Sequence, residues 1–130
     1  MFEKARPETY LAIRVEWSQL FRCDPQTVGQ NVDARAGIYR LLHRGPDGKF
    51  RTFYVGVADN LRDRVGVHFS PSELNMCVKS IISHGDCRFK FAYVESETER
   101  RGAERYLWAS LSGLCNDQEP NAEPIVVNLS

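Results

Sequence analysis

Apolar and polar residues alternate most cleanly around a turn in the first half of the chain. Gly37-Ile38-Tyr39-Arg40-Leu41-Leu42 leads through His43-Arg44 into Gly45-Pro46-Asp47-Gly48, and Lys49-Phe50-Arg51-Thr52-Phe53-Tyr54-Val55-Gly56 follows. Period-two alternation marks half-buried strands. Pro followed by Asp-Gly is turn chemistry, because Pro presets φ and Gly supplies a positive one. A β-hairpin is therefore expected from about Ala36 to Gly56, with Tyr39 on one strand and Tyr54 on the other. Residues Asp86 to Glu95 alternate Cys87, Phe89, Phe91 and Tyr93 against Arg88, Lys90, Ala92 and Val94, which predicts a further strand. Leu11, Ile13, Val15 and Trp17 sit at alternate positions and predict a strand from about Tyr10 to Trp17. A short amphipathic helix is the alternative there, since Ala, Leu, Arg and Glu all tolerate helices.

Helical spacing fills the gaps. Asp59 or Asn60 is placed to cap a helix over Leu61–His68, in which Leu61, Val65 and His68 (or Arg64) share a side. Gly66 weakens that helix by about 1 kcal/mol relative to Ala. Ser70-Pro71 breaks the chain. Ser72 to Ser83 then reads as a second helix, with Leu74, Cys77, Val78, Ile81 and Ile82 as its apolar stripe and a stop at His84-Gly85. Ser96-Glu97-Thr98-Glu99 has the Ser-x-x-Glu pattern of a capping box. The helix it opens is expected over Glu97–Gly113, with Ala103, Tyr106, Leu107, Ser110, Leu111 and Leu114 inward and Glu104 at the edge of the stripe. Residues 23–35, polar with Pro25 and Gly29, read as a connection, and 115–124 as a surface loop. Pro124 to Asn128 reads as a short extended piece. The pattern amounts to an α/β (α+β) fold: a small, mostly antiparallel central sheet built on the hairpin and flanked by helices. Residues 1–35 are expected to be an N-terminal extension packed on a core formed by 36–130.

Composition narrows the class. The chain has 130 residues, 42% hydrophobic and 26% charged, the size and balance of one folded domain. No apolar run is long enough to span a bilayer, and the first residues lack the apolar core of a signal peptide, so a cytoplasmic protein without membrane contact is expected. The net charge is zero, but it is uneven: residues 35–64 hold seven Lys or Arg against three Asp. That local excess attracts phosphate within a Debye length, or is simply a solvated hairpin. Cys23, Cys77, Cys87 and Cys115 form no Cys-x-x-Cys pair. Reduced, mostly buried thiols are expected, with a zinc site from Cys77, His84, Cys87 and Cys115 as the lesser alternative, because structural zinc ligands usually come in two close pairs.

The order of these features carries the functional reading. Gly37-Ile38-Tyr39, Tyr54-Val55-Gly56, Arg64 eight residues later, His68, Glu104 on a late helix and Asn128 near the end resemble the motifs of the GIY-YIG endonucleases. The run from Tyr54 to Arg64 is similar to the nuclease domain of bacterial excision-repair incision enzymes, and the resemblance covers about residues 36–129. Two departures stand out: Val55 replaces the isoleucine of the family name, and Val57 stands where many members carry Lys or another polar residue.

The resemblance implies a GIY-YIG nuclease domain over 36–130. It would be a metal-dependent endonuclease hydrolysing phosphodiester bonds of nucleic acid, DNA rather than RNA, with Mg²⁺ (or Mn²⁺). A catalytically silent nucleic-acid-binding module of the same fold is the alternative. Glu104 is the implied metal ligand, sufficient because Mg²⁺ often takes only one or two carboxylates. Arg64 is the implied phosphate clamp, its planar fork of donors suited to the task, with Arg40 and Arg62 as further substrate contacts. Tyr39 is implied to activate water and Tyr54 to position water or phosphate, the two roles being open to exchange. Ionising a phenol of pKa about 10 at pH 7 costs about 4 kcal/mol, so help from Arg64 or a relay through His68 is required. Gly37, Gly56 and Asn128 are implied to be structural: the glycines for close backbone approach or positive φ, and Asn128 to tie the last strand to the hairpin.

Overall fold

The computed structural model describes residues 11–130. Its strands are β1 (Ala12–Ile13), β2 (Phe21–Arg22), β3 (Gly37–Arg44), β4 (Phe50–Ala58), β5 (Cys87–Tyr93) and β6 (Val126–Val127). Its helices are α1 (Pro25–Asn31), α2 (Leu61–His68), α3 (Met76–His84) and α4 (Glu97–Ser110). An antiparallel sheet has the order β2-β5-β3-β4, and β1 pairs in parallel with β6 beside it. The chain is thus an α+β protein, as its pattern predicts.

The central strand β3 is buried on both faces from Gly37 to Leu42, apolar there except for Arg40, and emerges at His43 and Arg44. On one face Tyr39, Leu41, Phe89 and Phe91 pack with Val28 of α1, Leu61 and Val65 of α2 and Val78 of α3. On the other, Ile38, Val55, Ala92 and Val94 pack with Ala103 and Leu107 of α4, Val15 and Val127. The hairpin turn closes with Gly45 N–H donating to the Lys49 carbonyl at 2.8 Å, and Gly48 has the positive φ, 82°, that the turn requires.

A β-bulge lies at Phe53. Between it and the turn, Leu42 pairs with Thr52 and His43 with Arg51; beyond it, Leu41 pairs with Tyr54 and Tyr39 with Gly56. The extra residue decides which face Tyr54 occupies. Continued without a bulge, the register at the turn would set Tyr54 opposite Arg40, on the face away from Tyr39. With it, Tyr54 sits opposite Leu41, on the face of Tyr39.

Several boundaries differ from the sequence pattern. Residues 23–35 are not a plain connection: Asp24 accepts from Thr27 N–H at 2.8 Å and Pro25 occupies the first turn, which starts α1. Helix α3 begins at Met76, not Ser72, because the Asn75 side chain accepts from Val78 N–H and caps it there. Leu74 is consequently outside the helix and 89% exposed. Helix α4 ends at Ser110 rather than Gly113, and Ser110 is exposed. The N-terminal strand is two residues long; Tyr10 lies outside the described residues, and the period-two pattern survives as Val15 buried and Ile13 and Trp17 half-buried.

Residues 115–124 do not simply cross the surface. Cys115 N–H donates to the Phe53 carbonyl at 2.6 Å, and Asn116 brackets Val55, accepting its N–H at 3.1 Å and donating to its carbonyl at 2.7 Å. The exposed edge of β4 is closed in this way. Nor are the cysteines free: Cys23 is bonded to Cys87 and Cys77 to Cys115, with Cα separations of 5.7 and 5.6 Å. Pairing replaces the expected reduced thiols and the zinc alternative. None of the described helices is long and apolar enough to cross a membrane.

Candidate active site

The site is built on the side-chain contacts of β3, β4 and α2. Tyr39 lies opposite Gly56, and a Cβ at that position would collide with the Tyr39 ring and hydroxyl. A Cβ at Gly37 would collide with the Ala92 carbonyl and with Leu61. Both glycines therefore serve close approach; the positive φ values belong to Gly48 and Gly113 instead. Asn60 caps α2 by accepting from Asp63 N–H, and one turn carries Arg64 and the next His68 toward the tyrosines.

The Tyr39 hydroxyl and His68 Nε2 are 2.7 Å apart in a buried hydrogen bond. The other ring nitrogen, Nδ1, bonds to Glu73 Oε2. Tyr54 presents its ring to His68 edge-on, centroids 4.8 Å apart, and stacks beside Tyr39. Arg64 donates a long hydrogen bond, 3.4 Å, to the Tyr54 hydroxyl. Tyr39 is 0% exposed, His68 3% and Glu73 6%, whereas Tyr54 is half-buried and Arg64 exposed. Without movement, Tyr54 and Arg64 are the pair that meets solvent, and Tyr39 lies behind them.

Burial dominates the electrostatics. It pushes the Tyr39 phenol well above its ordinary value near 10, with Tyr54 adding to the effect, Arg64 opposing it and Glu104 and Glu73 adding further. Tyr54 is raised for the same reason, again against Arg64. Burial also holds His68 below its usual 6.5, against the pull of Glu73, so the imidazole is neutral at neutral pH. Glu104 is raised by burial, against Arg101 and Arg64.

The sequence-predicted residues are thus only partly gathered. Tyr39, Tyr54, Arg64 and His68 form one contact cluster. Glu104 joins it through its field, and opens onto a depression lined by Val57, Ala58, Asp59, Glu97, Arg100 and Arg101. Tyr54 and Arg64 line a neighbouring one with Glu73, Leu74 and Asn75. Arg40 faces the other way: it is 7% exposed, donates to Thr52 Oγ1 and the Leu129 carbonyl, and lies over Trp17. A guanidinium so enclosed is not placed to meet substrate. Arg62 donates to the Val32 carbonyl at 2.7 Å, bracing α2 against the N-terminal segment. Asn128 ties the last strand to Val15 rather than to the hairpin, accepting from its N–H and donating to its carbonyl.

Three of the seven cations of residues 35–64 are paired with carboxylates: Arg35 with Glu95, Arg44 with Asp86 and Arg51 with Asp47. Among the described residues Arg64 has no carboxylate partner within 4.0 Å, and neither does Glu104 have a cationic one. Arg100 and Arg101, the neighbours Glu104 would pair with, bond to Asp59 and Glu97. No group of three His, Cys, Asp or Glu among the described residues is arranged to hold a metal. The donor set fits an ion that takes one carboxylate and completes its shell with water and phosphate, as Mg²⁺ does. It does not fit zinc held wholly by side chains.

Glu73 is the residue that sequence reasoning missed. The sequence pattern places it inside a helix over 72–83 and assigns it no role. Asn75, a stronger cap two residues on, was the signal that the helix starts later and that Glu73 belongs to the connector. No family model, curated protein or solved structure matches this chain.

Proposed function

We propose that this chain is a metal-dependent endonuclease of the GIY-YIG type, cutting phosphodiester bonds in nucleic acid, DNA in preference to RNA. The observation that carries the reading is the hydrogen bond between Tyr39 and His68, beside a Tyr54–Arg64 pair that meets solvent. Arg64 and Tyr54 bind the phosphate. An incoming phosphate draws the Arg64 guanidinium from its long contact with Tyr54. Glu104 would hold Mg²⁺ (or Mn²⁺), and the ion would supply Lewis-acid stabilisation of the leaving oxygen.

A phenol cannot act as a free phenolate here, since burial raises the cost of ionising it still further. Tyr39 avoids that cost by passing its proton to His68 as it takes one from water. The full burial of Tyr39 favours a second reading, a binding module of the same fold that does not cut. The two separate on supercoiled plasmid, branched DNA and RNA, each with Mg²⁺ or EDTA, using wild type beside Glu104→Ala. Cleavage that needs both Mg²⁺ and Glu104 is the expected result. Equal cleavage by the two proteins overturns the mechanism, and salt-dependent binding without cleavage establishes the silent module.

A further inference from the structure

We infer that Glu73 is the positioning residue of the site: it fixes His68 as the tautomer whose Nε2 accepts the Tyr39 proton. The inference rests on the nuclease reading for its effect on rate, but not for its geometry.

Three observations carry it. First, Glu73 is 6% exposed and lies against a His68 that is 3% exposed, although both residue types ordinarily seek water. A polar pair so placed needs mutual hydrogen bonds to offset its burial. Second, the carboxylate is held from both ends. Oε1 accepts from Asn75 N–H at 2.8 Å and Oε2 bonds to His68 Nδ1. Asn75 is itself fixed, capping α3 and donating from Nδ2 to the Cys115 carbonyl at 3.0 Å. The bond from Cys77 to Cys115 closes the same corner covalently. Third, the chain is directional. A carboxylate is acceptor only, so it takes the proton on Nδ1; the lone pair then lies on Nε2, where the Tyr39 hydroxyl donates to it.

The proton path balances. Water gives a proton to the Tyr39 oxygen while the phenolic proton moves to His68 Nε2. The products are hydroxide, bound to phosphorus as the bond to the leaving oxygen breaks with its electron pair on that oxygen, a phenol as before, and an imidazolium. Glu73 keeps the Nδ1 proton bond throughout and offsets the new positive charge, so no phenolate accumulates. The groups facing the imidazole are Tyr39 from β3, Tyr54 from β4, Glu73 from the connector and Arg64 from the same helix. Only Glu73 is a carboxylate.

The test uses the full chain. In wild type, nitrogen-15 spectra of the histidine rings are expected to show His68 with its proton on Nδ1 in the neutral form; a proton on Nε2 overturns the inference whether or not the protein cuts. Glu73→Gln keeps shape and the Asn75 contact but loses the charge. It is expected to lower kcat by about 100-fold with KM within about twofold. His68 must be neutral to accept, so the rate rises with pH through its titration. Loss of the carboxylate lowers that titration, and the acid limb of kcat is expected to move to lower pH beneath a lower plateau. A lowered plateau with an unmoved limb is what damage to folding alone would give, and overturns the inference. Wild type that cuts nothing removes the nuclease reading instead, while the ring spectra still decide the tautomer.

Discussion

The two faces of the central sheet bury charge in opposite ways. On the α4 face, Arg40 is held by the Thr52 hydroxyl and the Leu129 carbonyl. Arg100, 5% exposed, is held on the same side of the molecule by the Val94 and Glu95 carbonyls and by Asp59. Guanidinium groups do not give up protons in proteins, and backbone carbonyls do not take them. These contacts are braces. On the opposite face, Tyr39, His68 and Glu73 satisfy one another, and every link joins groups that can pass a proton. Both disulfides also lie on that face, where Cys87 and Cys115 belong to the core around Tyr39. Burial of a polar group is therefore not itself a mark of chemistry. What its partner can exchange with it is the better guide.

The largest expected effect is that of Glu104→Ala, which belongs to neither buried set: cleavage is expected to fall by about 1,000-fold in a plasmid-nicking assay. The folded carboxyl is raised by burial, so it favours the folded state below the unfolded value near 4.5, and that help is lost as pH rises through the folded value. Glu104→Gln is accordingly expected to melt no lower than wild type at neutral pH, measured by calorimetry. Next comes Tyr39→Phe, expected to reduce kcat by about 100-fold and to cost about 1–3 kcal/mol in denaturant unfolding, because buried Nε2 of His68 loses its partner. Reduction of the two disulfides is expected to lower stability by about 2–4 kcal/mol each, read by unfolding with and without reductant.

Arg40→Ala is the matching change on the other face. It is expected to cost about 1–3 kcal/mol of stability and leave cleavage per folded molecule unchanged. A loss of cleavage comparable to that of Tyr39→Phe would break the comparison. The smallest effect is on pH dependence. His68 titrates lower folded than unfolded, so the unfolded chain binds more protons and stability falls as pH drops below about 6.5. The melting temperature of His68→Gln is expected to change less between pH 7 and 5 than that of wild type.

Much of the scaffold is legible in the sequence because it depends on local chemistry. The hairpin, α2 and β5 follow from alternation, a Pro-Asp-Gly turn and Asn60, and the structure places them within a few residues of expectation. Errors fell where two local signals compete. Pro25 speaks for a loop or a helix start, and Asp24 decides for the helix. The pattern starts a helix at Ser72, and the Asn75 cap delays it to Met76. The resemblance brings Tyr39, Tyr54, Arg64 and Glu104 toward one cleft, whereas Glu104 lines a different depression from Tyr54 and Arg64, and the bulge that sets Tyr54 on the face of Tyr39 has no signature in the Thr52-Phe53-Tyr54 run. The roles of Arg40, Glu73 and Asn128 depend on partners 89, 5 and 113 residues away in sequence, reached only through the completed fold. Cysteine pairing was misjudged for the same reason: separations of 64 and 38 residues give no hint of Cα atoms under 6 Å apart.

The bulge at Phe53 also makes the hairpin tip a natural graft point. On its inner side, register is locked from both flanks, by β5 along Gly37–Leu41 and by the Asn116 clasp on Val55. On its outer side, the exposed turn at Pro46–Lys49 is joined to β3 and β4 by a few ladder pairs. Lengthening the turn, or replacing it with a foreign loop, is absorbed before the change reaches Tyr54. A reporter or a recognition peptide carried there leaves the tyrosine pair in register.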